Sequence, residues 1–395
     1  MKKLNLILAL IISTISFAQI NFESTTWNQI KAKAKKEHKL IFVDAYTSWC
    51  GPCKWMAKNV FTNDTVAQYF NSHFINAKLD MEKGEGLEIA KQYTVQVYPT
   101  YLFLDGDGTL IHRAVGAWYA SFFIQYAKDA ENPEKQLRTF DLKYNSGNWD
   151  AQFLKTYLSL LNEIGLRKDV QIKLATYLLK QKESDFIIPE NWDLIKIFSN
   201  NHNSKEFKYL VSHKNEFDKK YGEEIIDKKI YNVYDNAFMT FINSKTLDTL
   251  TFNKIKSDVL KTSFKNNGKL IFNAELRYYE LIEDYNMYSK TANTYVTSYE
   301  VNPYDLNNIA YVFYEHITDT DLLKKAEEWA KTAVDKQKND PYFIDTYACL
   351  LFKNNKKQKA LELEQTVLEI IKKNPNDYAS TFVADVEKNI SNWKK

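Results

Sequence analysis

Two cysteines stand two residues apart in Tyr46-Thr-Ser-Trp-Cys-Gly-Pro-Cys-Lys-Trp-Met56, with Gly51 and Pro52 between them and Trp49 just ahead. Thiols at that spacing can staple a loop, supply half of a metal site or cycle as a redox pair. A bridge closed over so few residues removes little chain entropy, which weighs against a staple. A zinc site needs further Cys or His ligands at suitable spacing, and the chain's only other cysteine is Cys349, far along the sequence. No metal ligand set is therefore assigned, and the choice turns on the elements that hold the two thiols.

Lys39 to Tyr46 is a near-continuous apolar run that reads as a buried strand, and it leads directly into the cysteines. The pattern predicts helices over 27–37, 51–58, 87–93 and 119–130, and strands over 39–46, 74–79, 100–104 and 109–115. The last two strands are joined by Asp105-Gly-Asp-Gly108, a hairpin turn; its two aspartates lack the later ligands and terminal Glu of a calcium loop. The order αβαβαββα predicts a mixed sheet with helices on both faces. A Cys-Gly-Pro-Cys that leaves a strand and opens a helix reads there as a redox motif.

With those points in order, residues 27–130 resemble the thioredoxin family. The resemblance is carried by Asp44 in the buried strand, Trp49-Cys50-Gly51-Pro52-Cys53-Lys54, Lys78 in the next strand, Val97-Tyr98-Pro99-Thr100, and Gly116. Val60 to Asp64 and the Glu82 to Gly86 loop are closer to the secreted relatives, including the C-terminal domain of the transmembrane electron-transfer proteins. The resemblance implies a thiol-disulfide oxidoreductase that reduces or exchanges disulfides in protein substrates, with no cofactor beyond a redox-active Cys50–Cys53 disulfide. It also implies a thiol electron donor, in the role of a membrane thiol transporter, and a cis Tyr98–Pro99 bond against which an extended substrate can pair.

The site residues then take distinct tasks. Cys50, at a helix start, faces unpaired N–H groups and the positive end of the macrodipole, which favours thiolate and makes it the nucleophile. Cys53, one turn further in, is expected to be the more buried, resolving thiol. Asp44, desolvated on the neighbouring strand, is suited to accept the Cys53 proton, with Lys78 as its charge partner. Trp49, Gly51, Pro52, Tyr98, Pro99 and Gly116 are expected to form the substrate surface. The chain departs from the family in having no proline a few residues after the second cysteine, where Lys58 or a neighbour stands, and in the bulk of Tyr98.

Compartment and organisation complete the reading. Lys2 and Lys3, the apolar Leu4 to Ile12 and Ser16-Phe17-Ala18 make a secretory signal peptide cut after Ala18, which predicts a periplasmic or secreted protein. Residues 19–131 are expected to form the α/β domain, with a core of their own. The 53 basic and 50 acidic residues nearly balance, which excludes the charge footprint of a nucleic-acid binder. Six of the ten glycines lie between residues 51 and 116; beyond Asn132-Pro133 the chain is poor in Gly and Pro and carries apolar residues at helical spacing, an all-α region. Ala292, Ala326 and Ala360 are 34 residues apart, as are Pro341 and Pro375, the period of tetratricopeptide repeats. The expected divisions are a helical region over 132–265 and repeat-like helices over 266–395, which can hold a protein partner. An interaction protein using the α/β domain only for docking is the alternative function.

Overall fold

The computed structural model describes residues 19–147, 149–245, 248–373 and 377–395. The expected signal peptide and Pro375 with its loop lie outside the described residues.

The first elements are α1 (Trp27–Glu37), β1 (Leu40–Tyr46), α2 (Gly51–Asn59), α3 (Asp64–His73), β2 (Phe74–Asp80), α4 (Glu85–Gln92), β3 (Thr100–Leu104), β4 (Leu110–Val115) and α5 (Ala120–Glu131). The sheet order is β2-β1-β3-β4, with β1 parallel to β2 and the other pairs antiparallel. This is the expected mixed sheet flanked by helices, with one element added: α3 is absent from the predicted order. Its signals are local. Asn63 caps it by accepting from the Thr65 and Val66 amides, and Val66, Ala67 and Phe70 bury one face.

β1 is buried on both faces because strand periodicity divides its side chains between two apolar layers. Phe42 packs with Tyr101 and Phe103 under Met56 of α2, Val66 and Phe70 of α3, and Phe123 of α5. Ile41, Val43 and Ala45 join Ile75, Leu102 and Leu104 under Ile30 of α1 and Ile89 of α4. Aromatic rings lock the first layer: Phe42 lies 4.7 Å from Phe70 and 5.5 Å from Phe103 between centroids.

After α5 the chain is helical: α6 (Leu137–Asn145), α7 (Ala151–Glu163), α8 (Arg167–Leu178) and α9 (Pro189–Phe198), with a 3₁₀ turn at Glu183–Ile187. The described residues fall into two compact units that divide at Ser199 and Asn200, a coarser division than the expected boundaries at 131 and 265. Within the first unit, α6 packs against β4, and its Leu137 amide donates to Nδ1 of buried His112 at 3.2 Å. Burial pushes the His112 imidazole down to about 4, so the ring is neutral and free to accept at Nδ1. The α7–α8 turn is made at Gly165, whose φ of +80° suits glycine. A Cβ there would lie 3.7 Å from Val97 Cγ2 and 3.8 Å from Val115.

The second unit contains α10 (Lys205–Ser212), α11 (Lys214–Tyr221), α12 (Glu223–Asn243), α13 (Thr249–Lys261), α14 (Asn267–Leu281), α15 (Tyr285–Ser298), α16 (Pro303–His316), α17 (Thr320–Lys336), α18 (Pro341–Lys353), α19 (Lys357–Lys373) and α20 (Ser380–Trp393). Ala292, Ala326 and Ala360 are fully buried on α15, α17 and α19, where small side chains allow helices to approach closely. Among the described residues, no helix is long and apolar enough to cross a membrane.

Candidate active site

Cys50 and Cys53 form a disulfide at the N-terminus of α2. Cys50 is the N-cap, and its Sγ accepts from the Cys53 amide at 3.1 Å. That sulfur therefore occupies the place where a helix start most favours negative charge. Pro52 sits in the first turn, where a missing N–H costs nothing. A Cβ on Gly51 would meet no atom within 4 Å, so space remains open beside the pair. Cys53 is not the more buried cysteine: Cys50 is 2% exposed and Cys53 4%. In the disulfide each sulfur shields the other, so helix position alone does not rank their access.

An exposed rim surrounds this bond. Trp49 is 64% exposed, and its indole Nε1 donates to Glu82 at 3.0 Å, which holds the ring across the β2–α4 loop. The Trp49 ring meets Tyr98 edge-on at 6.0 Å. The Tyr98–Pro99 bond is cis, and the Gly116 amide donates to the Pro99 carbonyl at 2.9 Å. Trp55 and Tyr119, both exposed, meet edge-on at 6.0 Å and extend the aromatic surface. The α7–α8 turn at Gly165 approaches Val97, next to Tyr98, closely enough for an added Cβ to touch it, a proximity that the sequence pattern did not reveal.

Asp44 lies opposite Lys78 on β2 and Tyr101 on β3, on the face that α2 covers. It is 1% exposed, and its Oδ2 lies 3.4 Å from Lys78 Nζ. The alignment is poor for a hydrogen bond, and neither carboxylate oxygen has a hydrogen-bond partner. Burial pushes the Asp44 carboxyl up to about 6, with Lys78 opposing the shift. Lys78 remains partly exposed, its ammonium 4.9 Å from the Tyr46 ring and 5.7 Å from those of Phe22 and Phe61.

Sequence reasoning missed Tyr101 and Glu82. The Tyr101 hydroxyl is buried without a hydrogen-bond partner, as is that of Thr47; burial first, and then the Asp44 charge, push the phenol up. Its signal was a polar-tipped ring in an otherwise apolar strand, at the register position of Asp44. Glu82 carried no signal beyond its loop, because its pairing with Trp49 spans 33 residues.

The site thus combines a disulfide at a helix start that favours negative charge, a buried carboxyl on the preceding strand and an open aromatic rim. Gly116, at φ +94°, is expected to resist substitution. A Cβ would meet only the Trp118 ring, Nε1 at 3.5 Å and Cε2 at 3.9 Å, ordinary contacts, so the penalty is conformational. Gly116→Ala should destabilise by roughly 1–2 kcal/mol, read as a lower urea midpoint at unchanged slope.

Comparison with known proteins matches residues 21–106 to a family model described as Thioredoxin-like. Thioredoxin H1 of Arabidopsis thaliana is 34% identical over 92 residues, which is 23% of this chain and 75% of that protein. Thioredoxin H4 of the same plant is 36% identical over 91 residues, 23% of this chain and 71% of that one. Among solved structures, Thioredoxin NaTrxh from Nicotiana alata is 30% identical, with 29% of this chain and 96% of that chain covered and a TM-score of 0.24.

Proposed function

We propose, from the premise that this chain belongs to the thioredoxin family and is a thiol-disulfide oxidoreductase, that it is exported and that its Cys50–Cys53 pair reduces or exchanges disulfides in protein substrates. The observation that carries this reading is the Cys50 sulfur accepting the Cys53 amide at the start of α2, with Asp44 buried on the adjoining strand.

In the reduced protein the Cys50 thiolate attacks one sulfur of a substrate disulfide. The substrate S–S bond breaks, one substrate sulfur leaves as thiolate and takes a proton from solvent, and the other remains bonded to Cys50. Cys53 then gives its proton to Asp44 and attacks Cys50 Sγ; the second substrate sulfur leaves as thiolate and is protonated from solvent, to which Asp44 returns its proton. The substrate gains two electrons and the pair ends as the Cys50–Cys53 disulfide. A thiol donor must then return two electrons, and a membrane thiol transporter supplies that class of reductant for a protein exported by the N-terminal segment 1–18. Trp49, Tyr98, Pro99 and Gly116 form the surface on which an extended substrate strand pairs, and Lys78 tunes the Asp44 charge.

The test measures direction. Full-length protein lacking residues 1–18 is given insulin with dithiothreitol, and separately a reduced dithiol peptide with glutathione disulfide. Reduction of insulin should be the faster reaction relative to uncatalysed controls. Catalysis of peptide oxidation alone would overturn the reductive assignment.

A further inference from the structure

Helices α16, α18 and α20 of the second unit enclose a cleft of about 610 Å³, within the range of ligand sites. Its chemistry is unlike that of the redox site. Asn307, on α16, is 7% exposed, lines the cleft and leaves its Oδ1 without a hydrogen-bond partner. A buried carbonyl oxygen in that state calls for a donor. Asp345 on α18 and Asp385 on α20 line the same space, with Lys388 as a flanking cation. Tyr311 and Tyr314 add aromatic faces.

A second carboxyl lies against Asp345 behind the cleft lining. Glu364 of α19 is fully buried, accepts from Asn389 Nδ2 at 2.9 Å, and has its carboxyl pushed up to about 9 by burial and the Asp345 charge. Burial also raises the Asp345 carboxyl, against the hydrogen bond with Glu364. Cys349, which lines the cleft, has its thiol pushed up by burial and takes no part in nucleophilic chemistry.

We infer that this cleft binds the guanidinium or ammonium head of an arginine or lysine side chain carried on an extended protein segment. Acceptor-only groups and aromatic faces converge where a cationic donor would satisfy both. The neighbouring carboxamides of Asn307 and Asn308 offer the acceptor–donor pairing that a peptide backbone requires. A free polyamine has no acceptor to meet them.

The test is calorimetric titration of the full chain lacking residues 1–18. Probes are an N-acetylated, C-amidated Ala-Ala-Arg-Ala-Ala, the same peptide with norleucine or glutamate at the centre, and spermidine. The arginine peptide should bind saturably and at least tenfold more tightly than either peptide analogue. Asp345→Asn should weaken it at least tenfold, and Tyr311→Leu, at an exposed ring whose loss leaves the core intact, should weaken it severalfold. Both variants should retain wild-type insulin reduction, since neither touches the first unit's cysteines. Equal binding of the norleucine peptide, no saturable binding of the arginine peptide, or binding of spermidine alone would overturn the inference. Wild-type affinity for the arginine peptide in a folded Tyr311→Leu protein would do the same.

Discussion

Cys50→Ser is expected to lower insulin reduction by about a thousandfold or more, whereas Cys53→Ser should stop turnover after the first chemical step. The two outcomes differ because the sulfurs do different work. Cys50 occupies the N-cap position, and its Sγ accepts the Cys53 amide; serine there keeps a cap but removes the nucleophile. Cys53→Ser keeps the cap and the attacking thiolate but removes the thiol that resolves the mixed disulfide. A protein with Cys53→Ser, incubated with oxidised insulin, should accumulate a covalent adduct that dithiothreitol releases. The same substitution made with Cys50→Ser should yield none. Alkylation of the oxidised protein cannot rank the two cysteines, because the Cys50–Cys53 disulfide leaves no thiolate to react. The ranking must come from the reduced protein, where peptide mapping should find Cys50 labelled first. Equal labelling of Cys53, or adduct formation without Cys50, would reverse the assigned roles.

The second large effect is at Asp44, where stability and turnover should move in opposite directions. Its carboxyl rises from an ordinary value near 3.8 to about 6 in the folded protein. Between those values the folded state binds more protons than the unfolded state, so stability falls as pH rises through that window and levels off above pH 6. The accumulated cost at pH 7 is about 3 kcal/mol. Asp44→Asn removes the titration, so the oxidised variant should be more stable at pH 7 by up to that amount. The difference should shrink towards nothing below pH 4. Chemical denaturation of both proteins from pH 4 to 8 checks the sign and the window. The same variant should lose about 10²- to 10⁴-fold in turnover if the carboxylate is the general base for Cys53, with the loss confined to resolution of the mixed disulfide. Unchanged stability across that range, or unchanged turnover, would remove Asp44 from the mechanism.

How far the sequence reached is clearest at single residues. The strand holding Asp44, the helix opened by Cys50 and the Asp105 to Gly108 turn lie in short stretches whose patterns are local, and the structure places them as expected; the cis bond before Pro99 was implied by the family resemblance and is present. Lys78 entered as a partner for Asp44 through the family resemblance, and the parallel register of β1 and β2 sets the two opposite each other. Helix α3 was missed although Asn63 and Val66 to Phe70 carry its cap and its apolar face. Tyr101, Glu82 and Gly165 were hidden for a different reason. Each meets the site through a contact between elements distant in sequence, and no periodicity encodes such a contact. The α16–α18–α20 cleft is the extreme case: Asn307, Asp345 and Asp385 look like ordinary helix-surface residues until three helices bring them together.

The turn at Gly165 and the seating of α6 on β4 bear on how such a protein can be assembled from parts. A gene segment ending at codon 131 would encode both cysteines, Asp44 and the cis-proline loop, yet leave His112 uncovered and Val97 without the α7–α8 turn beside it. A segment ending near codon 199 carries the catalytic sheet with the helices that pack on its outer strand and approach its substrate-facing loop. A piece ending at residue 199 is therefore expected to unfold at a higher urea concentration than one ending at 131, because only the longer piece keeps α6 on β4 and the Leu137 amide on His112.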